Sequence, residues 1–362
     1  MLLSDKMMLW FDILTPKQLF YFTSIAKILK KRGYSTFLTS RRYEQLDSLI
    51  KEAFRDWGIK IIGRFGGYSL RDKLKASIER LNLLIDEVPI EEIDLVVSSG
   101  SVEASRIAYG LRKPHILASD SPHSPVNFLT APSSRRILTP WIIETSEWAR
   151  YGVRPIQVKK YRVLDPYFWL KDFHPDSTIV RGLGIEGEYV LVRLPESAAS
   201  YLMLDDAQYI KALASLIDIV RRYCMKILVL ARYREQTQIA EQLLMNKDTL
   251  IVSKPVIATH LIYYSKMFIG GGGTMTQEAA LLGKPCISIY PGKQPTILKF
   301  LSKMGLVRHY ESLDRSLKTL QNILKNIDDV SQTSKEKSRK LWKIMKDPEE
   351  DIAKWLVEAL SG

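Results

Sequence analysis

The residues best placed to do chemistry lie in one stretch, Met267-Phe-Ile-Gly-Gly-Gly-Gly-Thr-Met-Thr-Gln-Glu-Ala-Ala-Leu-Leu-Gly-Lys-Pro-Cys-Ile-Ser-Ile-Tyr-Pro291. It reads as strand, glycine turn, short helix, turn, strand. Gly270, Gly271, Gly272 and Gly273 leave the backbone without Cβ atoms where it must turn sharply. Thr274 and Thr276 are N-cap residue types, and Thr274 with Gln277 has capping-box spacing. Ala279, Ala280, Leu281 and Leu282 give the helix a small face that can lie close on a sheet, and Gly283 with Pro285 stops it. A helix N-terminus behind bare glycine backbone suits an anion, because free N–H groups and the helix dipole point the same way.

Three phosphate motifs compete for this turn. A Walker A loop ends in Gly-Lys-Ser/Thr, and Gly273-Thr274-Met275 lacks the lysine. A dinucleotide fingerprint needs a glycine at the sixth position and an acid after the next strand. Here the sixth position is Met275 or Thr276, and the strand Cys286–Tyr290 runs into Pro291-Gly292. The third option is a nucleoside-diphosphate site. Glu278, one turn into the helix, would accept from both ribose hydroxyls while the glycine amides hold the diphosphate. The competing reading of Glu278 is dipole compensation in a first helical turn.

The elements that must position this stretch alternate along the whole chain. Met8–Leu14, Tyr34–Thr39, Ile59–Ile62, Asp94–Ser98, Pro114–Ala118 and Ile137–Thr139 read as strands. Between them, helices are expected at Leu19–Arg32, Arg42–Trp57, Ser69–Asp86 and Val102–Tyr109, the first two closed by Gly33 and Gly58. The third has Leu70, Leu74, Ile78, Leu81 and Ile85 on one face. The segment 163–187, rich in Pro, Gly and aromatics (Asp165-Pro-Tyr-Phe-Trp169), reads as a linker. Strands and helices then alternate again from Tyr189. The expectation is α/β with two doubly wound parallel sheets in tandem: a domain over 1–165, a linker over 166–187, a second domain over 188–345 and a closing helix in 346–362.

Composition narrows the class. A chain of 362 residues with 46% hydrophobic content supports two cores. The net charge of +13 points to an anionic partner or a solvated basic surface. Cys224 and Cys286 are far apart, which suits a reducing cytoplasm and rules out a four-cysteine zinc site. No apolar run approaches the ~18–20 residues of a membrane span, and the N-terminus lacks the continuous apolar core of a signal peptide. No helix-turn-helix, zinc or aromatic RNA motif supports nucleic-acid binding.

Gly-Gly-x-x-x-Gln-Glu-Ala-x-x-Leu-Gly-Lys-Pro resembles the nucleotide unit of GT-B proteins, notably UDP-N-acetylglucosamine 2-epimerases and UDP-sugar glycosyltransferases. The closer resemblance is to a largely archaeal, uncharacterised GT-B-like family, domain-of-unknown-function family 354. Its features stand here as Asp12-Ile-Leu-Thr-Pro-Lys-Gln18, Ser98-Ser-Gly-Ser-Val-Glu-Ala104, Asp120-Ser-Pro-His123, Ala231-Arg-Tyr-Arg-Glu-Gln236 and Gly270–Glu278.

The resemblance implies two Rossmann-like domains facing across a cleft, with the last helix, around Trp355, returning to the first. A nucleotide-sugar donor, UDP-linked, would dock on the second domain as substrate, with no further cofactor. Its diphosphate would lie at Gly271, Gly272, Gly273, Thr274, Met275 and Thr276, beside Gln277 and the ribose-binding Glu278. Arg193, Arg232 and Arg234 fall at strand ends, where a guanidinium can brace a phosphate or form a plain surface ion pair.

The acceptor side would come from the first domain: Thr15, Lys17, Gln18 and Ser99. His123 would take the proton, with Asp120 to orient it and Asp12 near; the bland alternative is an Asp-Ser-Pro turn before an exposed histidine. His115 and His260 read as structural, His174 and His309 as loop residues. No metal aspartate pair is expected: Asp205-Asp206 reads as a helix cap, and the helix dipole with the glycine amides can stabilise a departing diphosphate.

The acceptor is open, a lipid-linked sugar or polysaccharide precursor among the candidates, with the protein cytoplasmic or peripheral to the inner membrane face. Leu19, Phe20, Tyr21 and Phe22 followed by Lys27, Lys30, Lys31 and Arg32 could dock on such a membrane, but packing on the sheet is the favoured reading. Epimerisation ranks second to glycosyl transfer. The epimerase His-Arg-Arg-Glu-Asn motif has here the counterpart Val192-Arg193-Leu194-Pro195-Glu196, with no histidine. A catalytically silent nucleotide-binding relative ranks third.

Overall fold

The structure is a computed structural model that describes residues 7–67, 69–194, 206–231, 234–244, 247–252, 256–290 and 292–360; the side chains of 45, 206–209, 211 and 212 lie outside that description. The chain forms two compact units. One runs to Lys171 and resumes at Lys346; the other is Asp172–Met345.

The first unit is built on β1 Met8–Ile13, β2 Ser35–Arg42, β3 Lys60–Arg64, β4 Ile93–Ser98, β5 His115–Ala118, β6 Arg136–Pro140 and β7 Val158–Tyr161. They form one parallel sheet in the order β3-β2-β1-β4-β5-β6-β7. The second unit has β8 Tyr189–Arg193, β9 Lys226–Leu230, β10 Thr249–Val252, β11 Met267–Gly270, β12 Cys286–Ile289 and β13 Arg308–Tyr310. Its sheet is also parallel, in the order β10-β9-β8-β11-β12-β13. Each sheet reverses its direction of growth beside its first strand, between β1 and β4 and between β8 and β11. Open parallel sheets take ligands in the crevice at that switch point, beyond the strands' C-terminal ends.

Local chemistry sets the helices. Thr15 caps helix Pro16–Lys31, accepting from the Gln18 amide at 3.4 Å, and Pro16 occupies a first-turn position where its missing N–H costs nothing. Leu19, Tyr21, Phe22, Ile25, Ala26 and Leu29 of this helix are buried, so the apolar face considered for a membrane lies in the core. Among the described residues no helix is long and apolar enough to cross a membrane. The closing helix Glu349–Glu358 buries Ile352, Ala353 and Leu356 on the first unit, where Arg32 meets Glu350 at 2.6 Å and Arg135 donates to the Ala359 carbonyl at 2.7 Å.

Several elements differ from the sequence expectation. The helix expected over 42–57 is Glu44–Ala53 followed by a separate 3-10 turn, Arg55–Trp57. The stretch read as a linker contains helices Tyr167–Leu170 and Ser177–Gly182, the first anchored by Phe168 edge-on to Tyr21 at 5.0 Å. His309, expected in a loop, sits in β13. β7 and β13 carry too few apolar residues to announce themselves. Helix Leu70–Glu87 turns Ala76, Arg80 and Leu84 inward, while Leu70, Leu74, Ile78 and Ile85 face solvent.

Arg80 explains that inversion. Its guanidinium pairs with Asp12 at the end of β1, Nη1 to Oδ2 at 2.9 Å and Nη2 to Oδ1 at 2.5 Å, and Nε donates to the Ile62 carbonyl at 3.0 Å. The stem passes where a Cβ on Gly63 would stand, 2.7 Å from Arg80 Cγ, on a backbone with φ of +74° that glycine alone takes without strain.

Candidate functional site

In the second unit the switch point falls between Arg193, the last residue of β8, and Gly270, the last of β11. A Cβ on Gly270 would lie 3.7 Å from Arg193 Cβ, so the arginine stands beside the glycine turn. Its Nη1 donates to the Ala231 carbonyl at 2.8 Å, which fixes the guanidinium across the ends of β8 and β9. Arg234 opens helix Arg234–Leu244 and is exposed. Arg232, the Asp205 cap and the Pro291 turn lie outside the described residues.

Helix Thr274–Leu281 begins one residue earlier than the threonine caps imply. Gly273 is the N-cap, with no side-chain cap bond, and Thr274, Met275 and Thr276 form the first turn. The turn enters its helix with Gly273 extended at φ −83°, ψ −156°, so Thr274 is already helical and cannot cap. A Cβ on Gly273 would meet no atom of the described residues within 4 Å, so among them this side of the turn is open. Gly272 faces the other way. Its φ is +83°, and a Cβ there would stand 2.9 Å from Leu298 Cδ2 and 3.1 Å from Ser288 Oγ. Gly272→Ala should therefore lower stability by about 1–2 kcal/mol, measured by thermal melting. An unchanged melting temperature would mean the turn is not held as tightly as these contacts require.

Glu278 is 5% exposed and accepts from Thr259 Oγ1 at 3.1 Å, so helix Ala258–Tyr264 fixes its carboxylate. Gln277 and Thr276 are buried beside it. Sequence reasoning missed Ser288. It is fully buried at the end of β12 under the turn, paired in register with Gly270, and its Oγ finds no hydrogen-bond partner among the described residues. The available signal was a lone hydroxyl in an apolar strand.

The first unit brings a second group of residues to its own sheet edge. Gln18 crosses the switch point: Leu14 N–H donates to its Oε1 at 2.7 Å, and its Nε2 donates to the Ser99 carbonyl at 2.9 Å. Gln18 thus laces the end of β1 to the residue after β4, and Thr15 holds the start of the Gln18 helix. Lys17 lies between two carboxylates, 2.5 Å from Asp120 and 2.7 Å from Asp165. Burial alone would pull the Lys17 ammonium down, but Asp120 and Asp165 overcome this and hold it above its ordinary value. Burial, with Asp120 adding to it, keeps the Asp165 carboxyl above the usual range despite Lys17 and the hydroxyl of Tyr161 at 2.5 Å. Asp165 was visible in the sequence only as part of the presumed linker.

Asp120 also accepts from Ser121 Oγ at 3.0 Å. His123, three residues on, is exposed; partial desolvation pulls its imidazole below the ordinary value, and Asp120 and Glu147 oppose the shift. Asp12 is fully buried, with its oxygens taken by Arg80 and by Thr39 Oγ1 at 2.6 Å, which suits it to hold β1 and β2 rather than to carry a proton. His115 bridges Ser98 and Ser134, each at 2.9 Å, and burial alone lowers its pKa to about 3, so it stays neutral.

Two parallel sheets of this order, with a closing helix on the first unit, are the GT-B fold. The crystal structure of UDP-GlcNAc 2-epimerase from Neisseria meningitidis bound to UDP-GlcNAc matches with a TM-score of 0.72 at 13% identity, over 97% of this chain and 100% of that one. Arabidopsis thaliana UGT89C1 complexed with UDP matches with a TM-score of 0.66 at 12% identity, over 98% and 100%. At these identities the likeness is one of fold. In sequence, residues 7–353 match the family described as protein of unknown function (DUF354), and the chain belongs to it. A relative from Methanocaldococcus jannaschii, described as uncharacterized protein MJ0665, is 27% identical over 321 residues, 87% of this chain and 91% of its own length.

Proposed function

We propose that this protein is a metal-independent GT-B glycosyltransferase whose second unit binds a UDP-sugar. The observation that carries the reading is the uncapped helix start at Gly273, open on one side, at the switch point of the second sheet, with Arg193 beside it and the buried carboxylate of Glu278 one turn inside. Backbone N–H groups of Gly271–Met275 receive the diphosphate, next to Thr276, whose own N–H donates to the Gly273 carbonyl at 3.0 Å; Arg193 and Arg234 brace it, Gln277 lines the site, and Glu278 accepts from the ribose hydroxyls. Fold relatives solved with UDP or UDP-GlcNAc support this choice of ligand.

In the transfer step an acceptor hydroxyl attacks the anomeric carbon. The new C–O bond forms as the bond to the diphosphate breaks, and the hydroxyl proton passes to a base of the first unit. His123, whose imidazole desolvation pulls below its ordinary value, is the proposed base, with Asp120 held by Lys17 close by in sequence. Lys17, Thr15, Gln18 and Ser99 shape the acceptor side. The leaving diphosphate is stabilised by the helix dipole and turn amides. The overall TM-score of 0.72 to an epimerase favours 2-epimerisation as the second reading, against which β8 ends at Arg193 and runs into Leu194 without a histidine.

Incubation with UDP-GlcNAc, with and without added acceptor sugars, separates the readings: an epimer without acceptor marks the second, a sugar product that forms only with added acceptor marks the first, and binding without turnover marks a silent relative.

A further inference from the structure

Helix Leu70–Glu87 presents a row of large aliphatic side chains to solvent: Leu70 is 83% exposed, Leu74 62%, Ile78 55% and Ile85 49%. At 3.6 residues per turn they fall within about a quarter of the circumference, along a row about 22 Å long. Leu81 lies on the same face between Ile78 and Ile85, half-buried against the core; single exposed aliphatics are ordinary, but several on one face of a helix mark an interaction site. Beside the row, on one flank, stand Arg71, Lys75, Glu79, Asn82 and Asp86, all exposed. That flank is basic in its first half and acidic in its second. The opposite flank leads to the buried face of Ala76, Arg80 and Leu84.

We propose that this face binds a second copy of the chain, helix against antiparallel helix, about a two-fold axis near Ile78. A two-fold axis perpendicular to the helix sets a flank against the same flank of the other copy, reversed in direction. Arg71 then stands opposite Asp86, Lys75 opposite Asn82 and Glu79, and Leu70 opposite Ile85. The face is complementary to itself in charge as well as apolar. An anionic lipid surface would instead meet Glu79 and Asp86 along the edge of the row, which disfavours it as occupant. Glu79 already pairs with Arg64 at 3.3 Å, but both are exposed and such a pair rearranges at little cost.

Sedimentation velocity on the full chain tests it. The wild type should sediment as a concentration-dependent dimer. Ile78→Glu should raise the dimer Kd more than about a hundredfold, since an unpaired charge would be buried twice at a two-fold interface. Its helix content should not change, and its melting temperature should equal that of wild type at concentrations where both are monomeric, because Ile78 is not a core residue. Arg71→Glu and Asp86→Arg should each raise Kd about tenfold, and the double exchange should restore it. A wild type that stays monomeric, a dimer indifferent to Ile78→Glu, or a double exchange that fails to restore association would each overturn the proposal. So would a monomer that co-sediments with vesicles containing phosphatidylserine and loses this with Ile78→Glu, which would assign the row to a membrane.

Discussion

Glu278→Ala is expected to weaken UDP binding about a hundredfold, and Glu278→Gln about tenfold. The carboxylate can accept from two ribose hydroxyls, and a hydrogen bond to a charged group contributes about 1.5–3 kcal/mol. The amide keeps one acceptor oxygen and no charge. Because Glu278 is buried and accepts from Thr259 Oγ1, the alanine variant should also lose some stability, whereas the glutamine keeps the shape and one contact. The two effects separate in calorimetry: the Gln variant should bind UDP weakly while melting close to wild type. Inorganic pyrophosphate has no ribose, so its affinity for the turn should be nearly the same in both. If UDP affinity is unchanged in both variants, Glu278 is compensating the helix dipole and the ribose contact is elsewhere.

The second large effect concerns the first unit. Arg80→Met should destabilise the protein by about 3–5 kcal/mol, because it strands the Asp12 carboxylate in the core. Arg80 and Asp12 are 1% and 0% exposed, so solvent does not screen this pair. For a unit of this size the melting temperature should fall by about 10 °C or more. The double change Asp12→Leu with Arg80→Met should recover part of the loss, since the Asp12 charge is then gone while Glu103, 3.7 Å from the guanidinium, still loses this partner.

The pH dependence has a definite sign. In the wild type burial works to raise Asp12, but Arg80 and the hydroxyls of Ser101 and Thr39 outweigh it, and its pKa is depressed. That stabilisation is present above the ordinary carboxylate value and is lost as pH falls through the folded value. In Arg80→Met burial is opposed only by weaker hydrogen bonds and by the charge of Arg41, so the depression of Asp12 is smaller. The gap in melting temperature between wild type and Arg80→Met should narrow on acidification. A gap constant from pH 7 to the acid limb would argue against an ionised Asp12 at the heart of this network.

These two sites differ in how far the sequence discloses them. The strand, glycine turn and helix of 267–281 are legible because every determinant is local: four glycines, an apolar strand before them and a small-faced helix after. Only the start of the helix slips, from a threonine to Gly273, because cap preferences do not contain the dihedral angles of the turn. The Arg80–Asp12 pair is illegible for the opposite reason. Its halves are 68 residues apart, and amphipathic periodicity assigns the most apolar face to the core. Helix Leu70–Glu87 breaks that rule by burying an arginine whose counter-charge periodicity cannot see, and the same inversion leaves Leu74 and Ile78 in solvent.

Asp165 is hidden similarly. A proline- and aromatic-rich stretch reads as a connection, but Phe168 anchors it to Tyr21 and carries Asp165 to Lys17. β7 and β13, four and three residues long and rich in charge, fall below any pattern a sequence can show.

Titrating UDP and UDP-GlcNAc by calorimetry into wild type and Glu278→Gln decides whether the glycine turn and Glu278 form a nucleoside-diphosphate site. Saturable binding to the wild type is expected, about tenfold weaker in the variant, with heats that vanish when a Gly273→Val change fills the open side of the turn. Absence of measurable binding by UDP, GDP and their sugars to folded wild-type protein would contradict it.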